Sequence, residues 1–193
     1  MRIGITGASG FIGRALVKLA ASEGHEVVAF SRSPDRAIEG ATEMRDFSQP
    51  QQVRVAGLDA VVHLAGEPIV GWWSKARRQR IRDSRVADTE RLVAAIGRCE
   101  QAERPKVLVC ASGSGYYGDR GDEVLAEDAD PGFGYLADIC RQWEIAAGRV
   151  RDHGVRWVSG RTGMVIGRDG GAAPLLKKLF KLCLGGRLGS GIS

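Results

Sequence analysis

The first fourteen residues, MRIGITGASGFIGR, constrain this chain more than any other stretch. A short apolar segment, Ile3 to Thr6, runs straight into Gly7-Ala8-Ser9-Gly10-Phe11-Ile12-Gly13. Beyond it Phe11, Ile12, Ala15, Leu16, Leu19 and Ala20 recur at helical spacing, which predicts the buried face of a first helix. The order is strand, glycine-rich turn, helix. Such a junction gathers free backbone N–H groups and the positive end of the helix dipole at one point, which suits a phosphate. Gly7 permits the tight turn, Gly10 lets a pyrophosphate approach the backbone, and Gly13 lets helix pack closely on strand. Dinucleotide binding is the expectation; the plainer reading is an ordinary strand-to-helix loop.

A second strand is expected at Glu26 to Ser31, after Gly24-His25. The residue closing this strand normally reads the adenosine ribose: a carboxylate there favours NAD, a basic residue a 2′-phosphate. The chain has Ser31-Arg32-Ser33-Pro34, with no acid before Asp35. A guanidinium pairs with a phosphate dianion through two parallel hydrogen bonds, so NADP(H) is expected over NAD(H). The alternative is a solvated loop arginine. A short third strand follows near Thr42 to Arg45.

Ala60 to Leu64, AVVHL, is an unbroken apolar run of the kind buried on both sheet faces, and it ends in Ala65-Gly66-Glu67-Pro68. His63 within it reads as a core or hydrogen-bonded histidine. Glu67 sits where open α/β sheets place their ligands, as a general base, a partner for a substrate hydroxyl, or a cap of the next segment. Trp72-Trp73-Ser74 precedes a predicted long helix from about Lys75 to Cys99, with Val86, Thr89, Leu92, Val93 and Ile96 on its buried face. A fifth strand is expected at Val107 to Ala111. A helix follows in which Leu136, Ile139, Cys140, Trp143, Ala146, Ala147 and Val150 recur at helical spacing. A sixth strand is expected at Val155 to Thr162, and a last amphipathic helix at Leu175 to Leu184.

The 193 residues can bury one substantial core, and no stretch approaches the apolar length of a membrane span, so a cytoplasmic protein is expected. Cys99, Cys110, Cys140 and Cys183 show neither a C-x-x-C pair nor zinc spacing and read as reduced thiols; no metal is expected. The net charge of +5 is concentrated in Lys75, Arg77, Arg78, Arg80, Arg82 and Arg85. A solvated helix face explains most of it and a phosphate-bearing ligand is a second reading. No recognised nucleic-acid motif supports a third.

Five strings, TGASGFIG, HLAGEPI, SGSGYYGD, CRQWE and RTGMVIGRDGG, together resemble the atypical and extended short-chain dehydrogenases/reductases. The likeness is to the branch described as NAD-dependent epimerase/dehydratase or cell-division-inhibitor-like proteins. The resemblance implies that Thr6, Gly7, Ser9, Gly10, Phe11, Ile12 and Gly13 hold the pyrophosphate. It further implies that Ser31 and Arg32 read the adenosine ribose, that Asp46 and Phe47 flank the adenine, and that Leu64, Ala65 and Gly66 line the nicotinamide-side ribose.

The family's strand-end serine falls on Gly113, so Ser114 is the substitute chosen over Ser112. Tyr116, Tyr117 and Glu67 complete the candidate acid/base set. The family's proton shuttle, Tyr-x-x-x-Lys, is missing in both registers. Starting at Tyr135 puts Ile139 at the lysine; aligning on Trp143-Glu144 puts Leu136 at the tyrosine and Cys140 at the lysine.

The fold expected is a Rossmann-type doubly wound α/β sheet in three layers, strand order 3-2-1-4-5-6. Residues 1–162 would be the NAD(P)-binding domain, and 163–193 the start of an incomplete substrate lobe. The expected activity is NADP(H)-dependent oxidoreductase or epimerase/dehydratase chemistry on a small polar, sugar-like substrate; the alternative is a non-catalytic NADP(H)-binding sensor or interaction protein. A small-molecule substrate and a homodimer are the partners expected, not nucleic acid or membrane.

Overall fold

A computed structural model describes residues 1–49, 52–168 and 170–182. Six strands form one parallel sheet: β1 (Arg2–Thr6), β2 (Glu26–Ser31), β3 (Glu43–Asp46), β4 (Ala60–His63), β5 (Val107–Gly113) and β6 (Arg156–Thr162). Their order is β3-β2-β1-β4-β5-β6, as expected for a doubly wound sheet. The helices are α1 (Phe11–Ser22), α2 (Lys75–Asp83), α3 (Val86–Gly97), α4 (Tyr135–Gly148) and α5 (Ala173–Lys181). A two-residue hairpin, β7 (Ile166–Gly167) with β8 (Gly170–Gly171), follows β6.

Alternation along β2 shows why both faces are covered. Val27 and Ala29 join Ile5, Val17 and Ala20 in the cluster under α1. Val28 and Phe30, one residue out of phase, join Val61, Leu92, Ile96 and Leu108 in the cluster under α3. Successive side chains of one strand therefore feed opposite layers. The chain leaves β1 toward β2 on one side and later returns as β4 on the other. The order thus reverses between β1 and β4, which opens a crevice at the carboxyl ends of these two strands.

Two expectations about the helices are corrected. Of the expected face of α1, Ala20 is buried and Leu16 packs on the core, but Ile12, Ala15 and Leu19 are exposed, Leu19 by 55%, and Gly13 and Val17 are buried in their place. Gly13 dictates this rotation, because its Cα lies so close to Gly7 and Ala8 that an added Cβ would overlap their main chain. The helix turns its glycine, not its largest residues, to the strand.

The single helix expected from Lys75 to Cys99 is broken at Ser84-Arg85. The Ser84 hydroxyl donates to the Ile81 carbonyl and accepts the Glu67 N–H at 2.9 Å. Both residues at the break are used by the loop that follows β4. The last helix spans Ala173–Lys181 where Leu175 to Leu184 was expected, and Cys183 and Leu184 lie outside the described residues. Among the described residues no helix is long and apolar enough to cross a membrane.

Candidate functional site

The glycine-rich turn leaves β1 at Thr6 and enters α1 at Phe11. Gly7 has φ +68°, a left-handed conformation that favours glycine, and a Cβ there would stand 2.8 Å from the main chain of Leu64 and Ala65. The turn thus lies against the end of β4. Gly10 donates to the Gly7 carbonyl at 2.9 Å and forms the N-cap without any side-chain hydrogen bond. The first bond of the helix ladder runs from Arg14 N–H to Gly10, so the amides of Phe11, Ile12 and Gly13 precede it. These donors, at the positive end of the helix dipole, would suit a pyrophosphate. Ser9 and Ile12 are exposed beside them, and the Ser9 carbonyl accepts from Arg14 Nη1.

Beneath the turn runs a fully buried polar chain. The Thr6 hydroxyl oxygen accepts from the amides of Leu64 and Ala65, both at 3.2 Å, so its proton goes to His63 Nδ1 at 2.7 Å. His63 must then carry its own proton on Nε2, which donates to the Thr89 hydroxyl at 3.0 Å. Trp143 Nε1 donates to the same oxygen at 2.9 Å. Burial pushes the His63 pKa down to about 4, so the ring is neutral, as this pattern requires. The reading of His63 as a hydrogen-bonded core residue holds. Thr6 itself is fully buried with its hydroxyl committed, and it supports the turn from below.

At the end of β2, Ser31 Oγ accepts the Ser33 N–H, while Arg32 projects into solvent with no hydrogen bond or ion pair among the described residues. Asp46 stands opposite Ser31 across β2 and β3, with both carboxylate oxygens on Ser48. Phe47 differs from expectation: its ring is 6% exposed and packs edge-on to Phe30 and tilted against His63. The ring belongs to the core, and the Phe47 N–H donates to the Ser31 carbonyl at 2.9 Å. Leu64 and Ala65 are half-buried and packed against opposite core clusters.

Beyond β4, the Glu67 main chain is held on both sides, its N–H by Ser84 and its carbonyl by Arg85 Nη1 at 2.9 Å. Its carboxylate lies 3.9 Å from Arg80 Nε. Ser114 begins a short helical turn, Ser114–Tyr117, immediately after β5; it is exposed, and its hydroxyl bonds to nothing among the described residues. Ser112 is buried and donates to Glu144 Oε1 at 2.7 Å. Of the two hydroxyls beside Gly113, only that of Ser114 is available.

Arg161 decides where the tyrosines stand. It grips Glu144 with two hydrogen bonds of 2.8 Å, places Nη1 2.8 Å from the Tyr117 hydroxyl, and lays its guanidinium over the Tyr116 ring at 3.5 Å. The Gly132 amide fixes the same turn from its other side by donating to the Tyr116 carbonyl. Burial raises the Glu144 carboxyl, but donors from Arg161 and Ser112 outweigh it and hold the group below its usual range. The Arg161 guanidinium is pushed up by the same pairing. A groove of about 560 Å³ lies along Tyr116, Glu144, Trp157 and Arg161. It borders β6, three strands from the glycine-rich turn.

Sequence reasoning gave no individual site role to Glu144, Arg161, Thr89 or Arg85. One signal was present for Glu144: a carboxylate four residues after Cys140, on the apolar stripe of α4. Ile139 and Cys140, the two positions at which the resemblance calls for lysine, are both buried. Tyr135 at the start of α4 donates to the Arg78 carbonyl and packs on Trp73. Among the described residues no cluster of His, Cys, Asp and Glu could hold a metal ion.

Known proteins resemble this chain over nearly its whole length. The NAD dependent epimerase/dehydratase family matches residues 3–184. The chain is 37% identical to the chloroplastic epimerase family protein SDR39U1 homolog of Arabidopsis thaliana, over 99% of its own length and 56% of that protein's. It is 35% identical to human epimerase family protein SDR39U1, over 99% and 64%. It therefore spans between about half and two thirds of such relatives. Among solved structures, human SDR39U1 isoform 2 with NADPH superposes with a TM-score of 0.83 at 33% identity, over 99% of this chain and 63% of that one. A nucleoside-diphosphate sugar epimerase from Corynebacterium glutamicum superposes at 0.80 with 34% identity, over 100% and 40%. The UDP-glucuronic acid 4-epimerase of Bacillus cereus, 20% identical with a TM-score of 0.75, shares the fold. With a parallel sheet in the order 3-2-1-4-5-6 and an uncapped glycine-rich turn at its switch point, this chain belongs to the NAD dependent epimerase/dehydratase family.

Proposed function

We propose that the chain binds NADP(H) and carries out oxidoreductase or epimerase/dehydratase chemistry on a small polar, sugar-like substrate. The observation that carries this reading is the pairing of an uncapped α1 N-terminus with an unengaged arginine at the end of β2. The turn amides would hold the pyrophosphate and Arg32 the 2′-phosphate, with Ser31 and Asp46 beside the adenosine ribose. The NADPH of the human relative's crystal structure supports the same choice of cofactor. The bound nucleotide would supply hydride transfer, and the protein orientation and proton movement.

Ser114 has the free hydroxyl for a substrate carbonyl or alcohol. Tyr117 accepts from Arg161, so its own proton is left to donate toward a substrate oxygen, with a fixed cation behind it. Tyr116, under the guanidinium, serves as a stacked wall. Glu67, beyond the carboxyl end of the neighbouring strand β4, is the candidate base. Calorimetric titration of NADPH and NADH into wild type and Arg32→Ala tests the cofactor reading. NADPH affinity is expected to fall about tenfold or more, with NADH little changed, because a charge-assisted phosphate contact is lost. Equal weakening of both nucleotides, or of neither, refutes it.

Buried Ile139 and Cys140, in place of a lysine, favour a second reading, a non-catalytic NADP(H)-binding sensor or interaction protein. Turnover of NADPH with a panel of sugar-like carbonyl compounds supports the enzyme; binding without turnover supports the sensor.

A further inference from the structure

Arg85 is held in a way that its loop alone does not require. It lies at the break between α2 and α3, and its guanidinium has two close neighbours. One is the Trp143 ring, 5.2 Å from Cζ to the centroid. The other is Gly66, where an added Cβ would stand 3.4 Å from Cζ and 3.5 Å from both Nη1 and Nη2. Near-equal distances mean that the planar group faces Gly66 flat, at the distance of an ordinary van der Waals contact. Nη1 donates to the carbonyls of Glu67 and Ile81 at 2.9 and 3.3 Å.

One edge of the fork is thus committed. Nε and Nη2 donate to no protein group among the described residues, yet neither is a buried atom left without a partner, so both reach solvent. Burial pushes the guanidinium down from its ordinary value, and nearby Cys140, Tyr135 and Glu67 push it up. Gly66 is one residue beyond the Leu64–Ala65 main chain against which the Gly7 turn packs. The Arg85 guanidinium therefore lies at the same strand end as the glycine-rich turn, in the electrostatic neighbourhood of Cys140 on α4.

We propose that Arg85 is a cofactor-binding residue whose free Nε/Nη2 edge donates to an oxygen of the nicotinamide-side ribose. It supplies a fixed cation where α4 presents Cys140 and Ile139 and no lysine. Contact with Gly66 and Trp143 and the hydrogen bonds to two carbonyls hold the fork, so the donors are ordered before a ligand arrives. The inference rests on the NADP(H) reading above.

The test compares two ligands on the full 193-residue chain. NADPH has the nicotinamide ribose; adenosine 2′,5′-bisphosphate has the phosphates of the adenosine half and lacks that ribose. Arg85→Gln is expected to weaken NADPH about ten- to a hundredfold while the bisphosphate stays within about twofold. Arg85→Lys, which keeps the charge and loses the fork, is expected to lie between. Equal losses for both ligands show that Arg85 only supports the loop and overturn the inference, as does unchanged NADPH affinity. If circular dichroism shows Arg85→Gln unfolded, Arg85→Lys carries the comparison, and equal losses there overturn it too. A wild-type chain that binds neither ligand overturns the cofactor reading itself, and this inference with it.

Discussion

The chain Thr6–His63–Thr89–Trp143 makes a quantitative prediction about acid. In the native state His63 is fully buried and titrates at about 4; in the unfolded chain it titrates near 6.5. Above pH 6.5 the ring is neutral in both states and its hydrogen bonds contribute fully. As pH falls from 6.5 toward 4, the unfolded state takes up a proton that the native state cannot, and stability drops. At 1.36 kcal/mol per pKa unit the full loss is about 3 kcal/mol, of which about 2 kcal/mol has gone by pH 5. Glu43 and Glu144, whose carboxyls are held low by arginines, keep their contribution above the ordinary carboxylate range and lose it as pH falls through that range. The interval from 6.5 to 5 therefore isolates His63. Urea unfolding at pH 7.5 and pH 5.0 measures it on wild type and His63→Gln. The variant, about 1–3 kcal/mol less stable at neutral pH through an impaired hydrogen-bond chain, is expected to lack the acid-linked drop. An equal drop in both proteins refutes the neutral, doubly bonded histidine.

Gly13→Ala pushes a methyl group into the main chain of Gly7 and Ala8; about 1–3 kcal/mol of destabilisation and weakened NADPH binding are expected, read by thermal melts with and without nucleotide. Glu144→Gln leaves Arg161 and Ser112 with a neutral partner at a site 7% exposed; a loss of roughly 3 kcal/mol in urea unfolding is expected, partly recovered by adding Arg161→Met. Ser114→Ala removes a hydroxyl bonded to no described residue, so the melting temperature should not move and any loss in turnover reads its contact with substrate.

The opening unit was legible because each of its signals is local. Apolar strand, glycines at three-residue intervals and a helical stripe occur within one twenty-residue window, and β1, the turn and α1 follow them. The orientation of α1 was not legible, since hydrophobic spacing alone favours Leu19 and Ile12, while close approach of Gly13 to Gly7 fixes the rotation. Helical propensity likewise runs through Ser84-Arg85 without interruption. The break comes from Glu67, seventeen residues earlier, whose main chain both residues bind.

What the sequence determined by itself was the fold class and the tight glycine turn between β1 and α1, and its family resemblance carried the strand order. The first follows from periodicity, the second from glycine's freedom at positive φ, and the third from the order that such doubly wound sheets share. Pairing between distant polar residues was decided by tertiary structure alone. Glu144 meets Arg161 and Ser112, Thr6 meets His63, and Arg85 meets Gly66 and Trp143 only once the parallel sheet and the helices packed on it have brought them together. A buried charge or hydroxyl must find its partner in three dimensions, and no local pattern along the chain encodes which one it finds.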